Sequence, residues 1–514
     1  MRHNSTLIGT LAIFAHLLVP PVNGIRIQVD ASQETGVFKN TQNTNWPIIG
    51  YPGPTDKLLA NHWDESRTNQ IFIYPTPRYL FTGYDQTGIA SDPTLIQNYN
   101  FTELDEQMRY VVSTGRKASI QFEDHLGPEY ATPEMFEEVG YTIADRYGNG
   151  ANGSGFNDAL ELIDFFPERD LTNATLTELE VQRFFALVQG FAIGVHRANT
   201  SAGVGAFSSN RFWISPSVSQ NPYNEPFFEF VAKNKVPIKA ITYHWLSPLT
   251  QAPGDLIDST RRVRNELDKV GLQNIPIWIT EYNRNPAGFL PKNETIKAEY
   301  DDLSLCNAYI QSAQIYAQEA PLEQIFVWPG VSHGFVGMGD AYFEGYYGLN
   351  SNGTDRVNQI GTGWELSGKF IRDTPNRLEA TKFSSDGLAW LAGISNDKNT
   401  VQVLTSNYQV PDDVLAGVTE VYDESSNSSA PGFCASVTPE GLWCSEYFCY
   451  DIPSLPGLCL STPQPHLNTN HAKVYDIIIE NLPWTPENQY LVTIERTSPH
   501  AIRETVEHTI AKVG

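Results

Sequence analysis

Several carboxylates stand where apolar runs end. Glu281 stands one residue before the end of "IPIWITEY", Asp164 interrupts "ALELIDFFPERD" ahead of Glu168, and Glu123, Asp124 and His125 follow "KASIQF". His244 stands near the end of "IKAITYHW", and Trp328 lies in "EQIFVWPG". One carboxylate that attacks a sugar carbon and a second that protonates the departing oxygen make up the chemistry of glycosidic bond cleavage. Aromatic faces such as Tyr282 and Trp328 supply stacking surfaces for sugar rings, with core packing the alternative for both. The alternative for Glu281 is a buried acceptor for Arg or Tyr, and for His244 a packed core histidine.

These residues need a scaffold that brings strand ends together. The middle of the chain alternates short apolar runs with helical patterns. Strands are expected at "NWPIIGY", "IFIYP", "KASIQFED", "ALELIDFF", "RFWISPS", "IKAITYHW", "IPIWITEY" and "EQIFVWPG". Between them, "FTELDEQMRYVVSTG" sets Leu104, Met108 and Val111 on one helical face and stops at Gly115, and "ELEVQRFFALVQGFAIGVHR" and "DSTRRVRNELDKVG" behave alike. Such alternation predicts an α/β fold with a parallel sheet, a closed (β/α)8 TIM barrel being the economical form. An open doubly wound sheet competes, but no glycine-rich phosphate loop follows an early strand. From about residue 375 the runs "LAWLAGIS", "TVQVLTSNYQ", "VYDIIIENL" and "QYLVTIERT" predict a C-terminal β-sandwich. The division is 1–24 signal peptide, 25–40 an N-terminal strand able to pair with the sandwich, 41–375 barrel and 376–514 sandwich, with a disulfide-rich loop at 434–459.

Particular segments resemble a known family. "IPIWITEYNRNP" resembles the seventh-strand nucleophile segment of clan A glycoside hydrolases. "YNFTELDEQMRYVVSTGRKASIQFE", "VPIKAITYHW", "FEGYYGLNSNGT" and "LVTIERTSPHAIRE" resemble parts of glycoside hydrolase family 39, the β-xylosidase and α-L-iduronidase type. The resemblance spans most of residues 70–514. It implies Glu281 as nucleophile of a retaining hydrolase, with His244 in its usual place on the sixth strand and no metal or organic cofactor, while Glu123, Asp124, Tyr282 and Trp328 are expected near the substrate from their positions at strand ends. The family's acid follows Glu-x-x-Asn-Glu-Pro on the fourth strand. Aligning Glu161 with that motif puts Asp164 at the Asn and Phe165 at the proton donor, and phenylalanine has no proton to give. The acid is then open between Asp164, Glu168 and the Glu123–Asp124 pair, with Glu225 an outsider because helix starts after strand five also face the site, and with a protein that only binds sugar as the remaining alternative.

Asn224-Glu225-Pro226 offers a literal match to the acid tripeptide. A barrel of roughly 250 residues spends about 30 on each strand–helix unit, so an acid on strand four should precede strand seven by about 90. Glu225 lies only 56 residues before Glu281. Asn224 suits a helix cap, Glu225 the positive helix end and Pro226 the first turn, so a helix start is expected.

The net charge of −25 leaves no basic face for nucleic acid. Residues 1–24 read as a secretory signal, and no later run is long and apolar enough for a transmembrane span. Sequons at Asn100, Asn152, Asn173, Asn199, Asn293, Asn352 and Asn427 fit a secreted glycoprotein. Cys434, Cys444, Cys449 and Cys459 read as two disulfides, with metal binding the rival, and Cys306 as a buried thiol. The expectation is a secreted, monomeric glycosidase acting on an oligosaccharide, polysaccharide or glycoconjugate. Its rivals are a carbohydrate-binding protein that has lost its acid and an extracellular adhesive protein.

Overall fold

The computed structural model describes residues 27–46, 56–73, 80–81, 84–85, 88–89, 92–122, 131–165, 178–209, 224–247, 252–284, 303–328, 347–349, 355–357, 359–382, 388–408, 442–444, 449–451, 489–498 and 501–509. Eight parallel strands close into a barrel: β1 (Asn43–Trp46), β2 (Gln70–Ile73), β3 (Lys117–Phe122), β4 (Leu160–Phe165), β5 (Gly203–Ser209), β6 (Ile238–Ser247), β7 (Ile277–Arg284) and β8 (Gln324–Val327). A helix follows each strand: α1 (Asp56–Glu65), α2 (Thr102–Ser113), α3 (Pro133–Asn149), α4 (Glu178–Arg197), α5 (Asn224–Asn234), α6 (Asp255–Lys269), α7 (Leu303–Ala317) and α8 (Gln359–Asp373). This is the (β/α)8 barrel expected from the alternation of runs.

Local chemistry sets the elements. In α4 the buried Val181, Phe184, Phe185, Val188, Phe191, Ala192 and Val195 recur at three- and four-residue spacing, which forms one apolar stripe. Helix α3 starts where the Thr132 side chain accepts from Met135 N at 3.3 Å with Pro133 in its first turn. It ends at Gly150, whose φ of 75° suits a residue without Cβ. In β3, Ala118, Ile120 and Phe122 join the apolar layer beneath the helices, while Ser119 and Gln121 alternate onto the inner face. Phe72, Leu162, Ala240, Trp278 and Phe326 fill part of the barrel interior.

Two strand assignments move. The first strand is Asn43–Trp46, overlapping only the start of "NWPIIGY". The fifth is "GVGAFSS", Gly203–Ser209, in place of "RFWISPS", which lies outside the described residues. Its glycines disguise it as a turn. They are there because a Cβ on Gly203 would collide with the Lys239 side chain, and one on Gly205 would come within 2.6 Å of Thr242 Cγ2.

An antiparallel six-stranded sheet completes the described fold. It runs Ile27–Val37, Asn376–Lys382, Leu388–Ile394, Thr400–Asn407, Gln489–Ser498 and Ala501–Thr509 in spatial order. Phe38, Ile315, Leu366, Phe370, Ala389, Leu391 and Leu404 form a shared core that seats this sheet on α7 and α8. Among the described residues, no helix is long and apolar enough to cross a membrane.

Candidate active site

A β-bulge decides which carboxylate the barrel interior receives. Along β6, Tyr243 and Trp245 face the helices, the first bonding Thr260 of α6 and the second stacking on Tyr309 of α7, so Thr242 and His244 face inward. Strand β7 pairs in step with β6 until the register shifts between Ile279 and Glu281. The extra residue reverses the alternation. Thr280 turns inward, its Oγ1 2.9 Å from Ser208 Oγ, and Glu281 turns inward too, with Oε2 3.4 Å from His244 Nδ1. Glu281 and His244 are 6% and 1% exposed, so both side chains are buried near the C-terminal end of the strands.

Tyr282, expected among the substrate contacts, then points the other way. It is fully buried between β7 and α7, where its hydroxyl accepts from Gln314 Nε2 at 2.8 Å and donates to the Ile310 carbonyl at 3.5 Å. It belongs to the packing layer. Trp328 is half-buried just past β8, its backbone N–H donating to the Tyr282 carbonyl at 3.0 Å and its carbonyl accepting from Asn283 Nδ2 at 2.7 Å. Alternation places it on the side of Phe326, above the barrel interior.

Asp164 is fully buried. Its Oδ1 accepts from Thr242 Oγ1 at 2.7 Å and its Oδ2 from Ser208 Oγ. Burial pushes its pKa above the ordinary carboxylate value, against the opposing pull of the Ser208 and Thr242 hydroxyls and the nearby His244. Thr242 stands two residues below His244 on the same inner face, so Asp164 sits in the layer beneath Glu281. A carboxyl enclosed in this way, with both oxygens engaged, is not placed to meet a glycosidic oxygen. Its neighbour Phe165 faces outward, stacked on Phe191 at 4.2 Å. Glu123, Asp124 and Glu168 lie outside the described residues.

The inner-face polar residues Asn45, Gln121, Ser208, Thr242 and Thr280 carry no family motif and were not legible as site residues. Asn45 donates from Nδ2 to the Thr280 carbonyl at 3.2 Å, and Gln121, buried opposite Asp164 in the strand register, keeps an Oε1 without a hydrogen-bond partner among the described residues.

Elsewhere, Glu225 is an exposed residue in the first turn of α5, the helix start expected for it. The Asn224 side chain is buried, and its amide has no hydrogen-bond partner among the described residues. Cys306 is half-buried on α7, less enclosed than expected. Cys444 and Cys449 face each other in the register of a short hairpin, Leu442–Cys444 with Cys449–Asp451, whereas Cys434 and Cys459 lie outside the described residues. Asn100, Asn152 and Asn199 are exposed, and the other four sequons lie outside the described residues.

A closed parallel barrel with an antiparallel sheet beside it is an architecture found among glycoside hydrolases. The chain is similar in fold to a glucosidase from Croceicoccus marinus, with 20% identity over 76% of this chain and 79% of that one and a TM-score of 0.60. It is similar to a monomeric β-xylosidase from Caulobacter crescentus CB15 (13% identity, 74% and 76% covered, TM-score 0.51). An α-L-arabinofuranosidase from Thermotoga maritima also aligns (11% identity, 75% and 85% covered, TM-score 0.51). No protein-family model and no curated protein sequence matches the chain. The shared property is the glycosidase barrel fold.

Proposed function

We propose that the chain is a secreted glycoside hydrolase that cleaves O-glycosidic bonds with retention, Glu281 acting as nucleophile. The observation that carries this reading is the β7 bulge, which sets Glu281 beside His244 on the inner face of a barrel of glycosidase fold. His244 lies close enough to orient the Glu281 carboxylate as it attacks. The proton donor comes from the loops after β3 or β4, where the sequence supplies Glu123, Asp124 and Glu168. In a retaining enzyme that carboxyl stands about 5–5.5 Å from the nucleophile. Pentosides and hexosides of the kind named for the glucosidase, xylosidase and arabinofuranosidase are the first substrates to test.

Replacement of Glu281 by Gln should abolish turnover of dinitrophenyl glycosides, and Glu281→Ala with added azide should release a glycosyl azide of inverted configuration. An undiminished rate in Glu281→Gln would remove the mechanism. The enclosure of Asp164 also supports a second reading, a sugar-binding protein without a working acid. That reading predicts sugar binding by the wild type with no hydrolysis of glycosides bearing poor leaving groups. Secretion predicts a mature chain lacking residues 1–24 and a mass that falls on enzymatic removal of N-glycans.

A further inference from the structure

We propose that Asp164 is a positioning residue that acts through Ser208 and Thr280 to hold the β7 bulge aiming Glu281, and that it is not the proton donor. The inference rests on the glycosidase reading of Glu281. Its basis is a chain of hydroxyls that crosses four strands. Ser208 Oγ donates to Asp164 Oδ2, which leaves it to accept from Thr280 Oγ1 at 2.9 Å. Ser208 N donates to Thr242 Oγ1 at 3.0 Å, and Thr242 Oγ1 donates to Asp164 Oδ1 at 2.7 Å. Both branches end on the one carboxyl.

The far end of the chain is Thr280, the residue that opens the bulge. Its side chain is held by Ser208 and its carbonyl by Asn45 Nδ2 at 3.2 Å, so the backbone entering Glu281 is fixed from two sides. Ser208 is itself forced, with φ at 42° in a second register shift, between Ala206 and Ser209 of β5. A non-glycine residue in that conformation is strained and persists where its surroundings over-determine it. Here the surroundings are the two bonds to Asp164 and Thr242. Gly205 completes the arrangement, because a Cβ there would meet both Thr242 and Asp164 and close the passage between them. A buried carboxyl is costly unless donors satisfy it, and one of its two donors, Ser208, contacts Thr280 on the strand that carries Glu281.

The test compares wild type with Asp164→Asn, Ser208→Ala, Thr280→Val, Thr280→Ser and Asp164→Asn/Thr280→Val. Substrates are dinitrophenyl and methyl glycosides of the sugar the wild type turns over best. Misplacement of Glu281 should lower kcat about 10–100-fold in the first three variants with both leaving groups and little change in KM. Azide should not rescue Asp164→Asn. Thr280→Ser should restore most of the rate, and the double variant should be no slower than its slower parent, since both act through one chain. Wild-type kcat in Ser208→Ala and Thr280→Val, multiplicative losses in the double variant, or azide rescue of Asp164→Asn would overturn the proposal. These outcomes are read with Glu281→Gln inactive. Full activity in Glu281→Gln would instead remove the nucleophile assignment, and this inference with it.

Discussion

Gly205→Ala tests how tightly the floor of the site is built. The new Cβ would lie 2.6 Å from Thr242 Cγ2, 2.9 Å from Leu162 Cδ2 and 3.2 Å from Asp164 Oδ1. Thr242, Leu162 and Asp164 are all fully buried, so none can swing into solvent. Overpacking of this kind costs about 1–3 kcal/mol. Parting Thr242 from Asp164 adds about 1–2 kcal/mol for a buried acceptor short of a donor. At about 2 cal/mol/K per residue, a barrel of roughly 330 residues unfolds with an entropy of about 0.7 kcal/mol/K, so a loss of about 2–5 kcal/mol lowers Tm by about 3–7 °C. Calorimetry of the full chain measures this directly. Thr242→Ser provides the internal check, because it deletes the clashing methyl and keeps the hydroxyl. Gly205→Ala/Thr242→Ser should recover most of the loss. A wild-type Tm in Gly205→Ala, or no recovery in the double variant, would refute the packing described for this layer.

Three further outcomes are expected. Asp105 accepts from Arg146 Nε at 2.9 Å, Arg146 Nη2 at 2.6 Å and Tyr147 at 3.0 Å, so Asp105→Ala strands a buried guanidinium and should cost about 3–5 kcal/mol by chemical denaturation. Tyr282→Phe should leave KM unchanged while lowering stability by about 1–2 kcal/mol through the lost Gln314 bond, and a large rise in KM would contradict its outward placement. Because burial raises the Asp164 pKa, the native state binds its proton more tightly than the unfolded chain does. Stability therefore falls as pH rises from the ordinary Asp value near ~4 toward the raised native value. The advantage of wild type over Asp164→Asn, followed by Tm, should shrink across that window, and a difference independent of pH would contradict a raised pKa.

Much of the barrel was legible because buried parallel strands are short apolar runs and their helices carry one apolar stripe. The runs at β2, β3, β4, β6, β7 and β8 all stand where the sequence suggests. The fifth strand was hidden, since close approach by Lys239 and Thr242 demands glycine where a strand pattern demands bulk. At the site, the type of Glu281 was legible but the direction of its neighbours was not. Strict alternation along "IWITEYN" places Thr280 and Tyr282 on one face and Glu281 on the other, and one inserted residue in the ladder exchanges the last two. No local pattern announces that insertion. Asp164 likewise offers a carboxylate at a strand end, and only the hydroxyls of Ser208 and Thr242, 44 and 78 residues away in the chain, show it to be enclosed.

The most direct measurement is covalent trapping of the wild-type protein with an activated fluorosugar glycoside, followed by intact-mass analysis and peptide mapping. Turning over slowly, such a sugar should accumulate on the nucleophile, raising the mass by one fluoroglycosyl unit on the peptide that contains Glu281. A stoichiometric label on any other residue, or continued hydrolysis with no adduct, would contradict the assignment of Glu281.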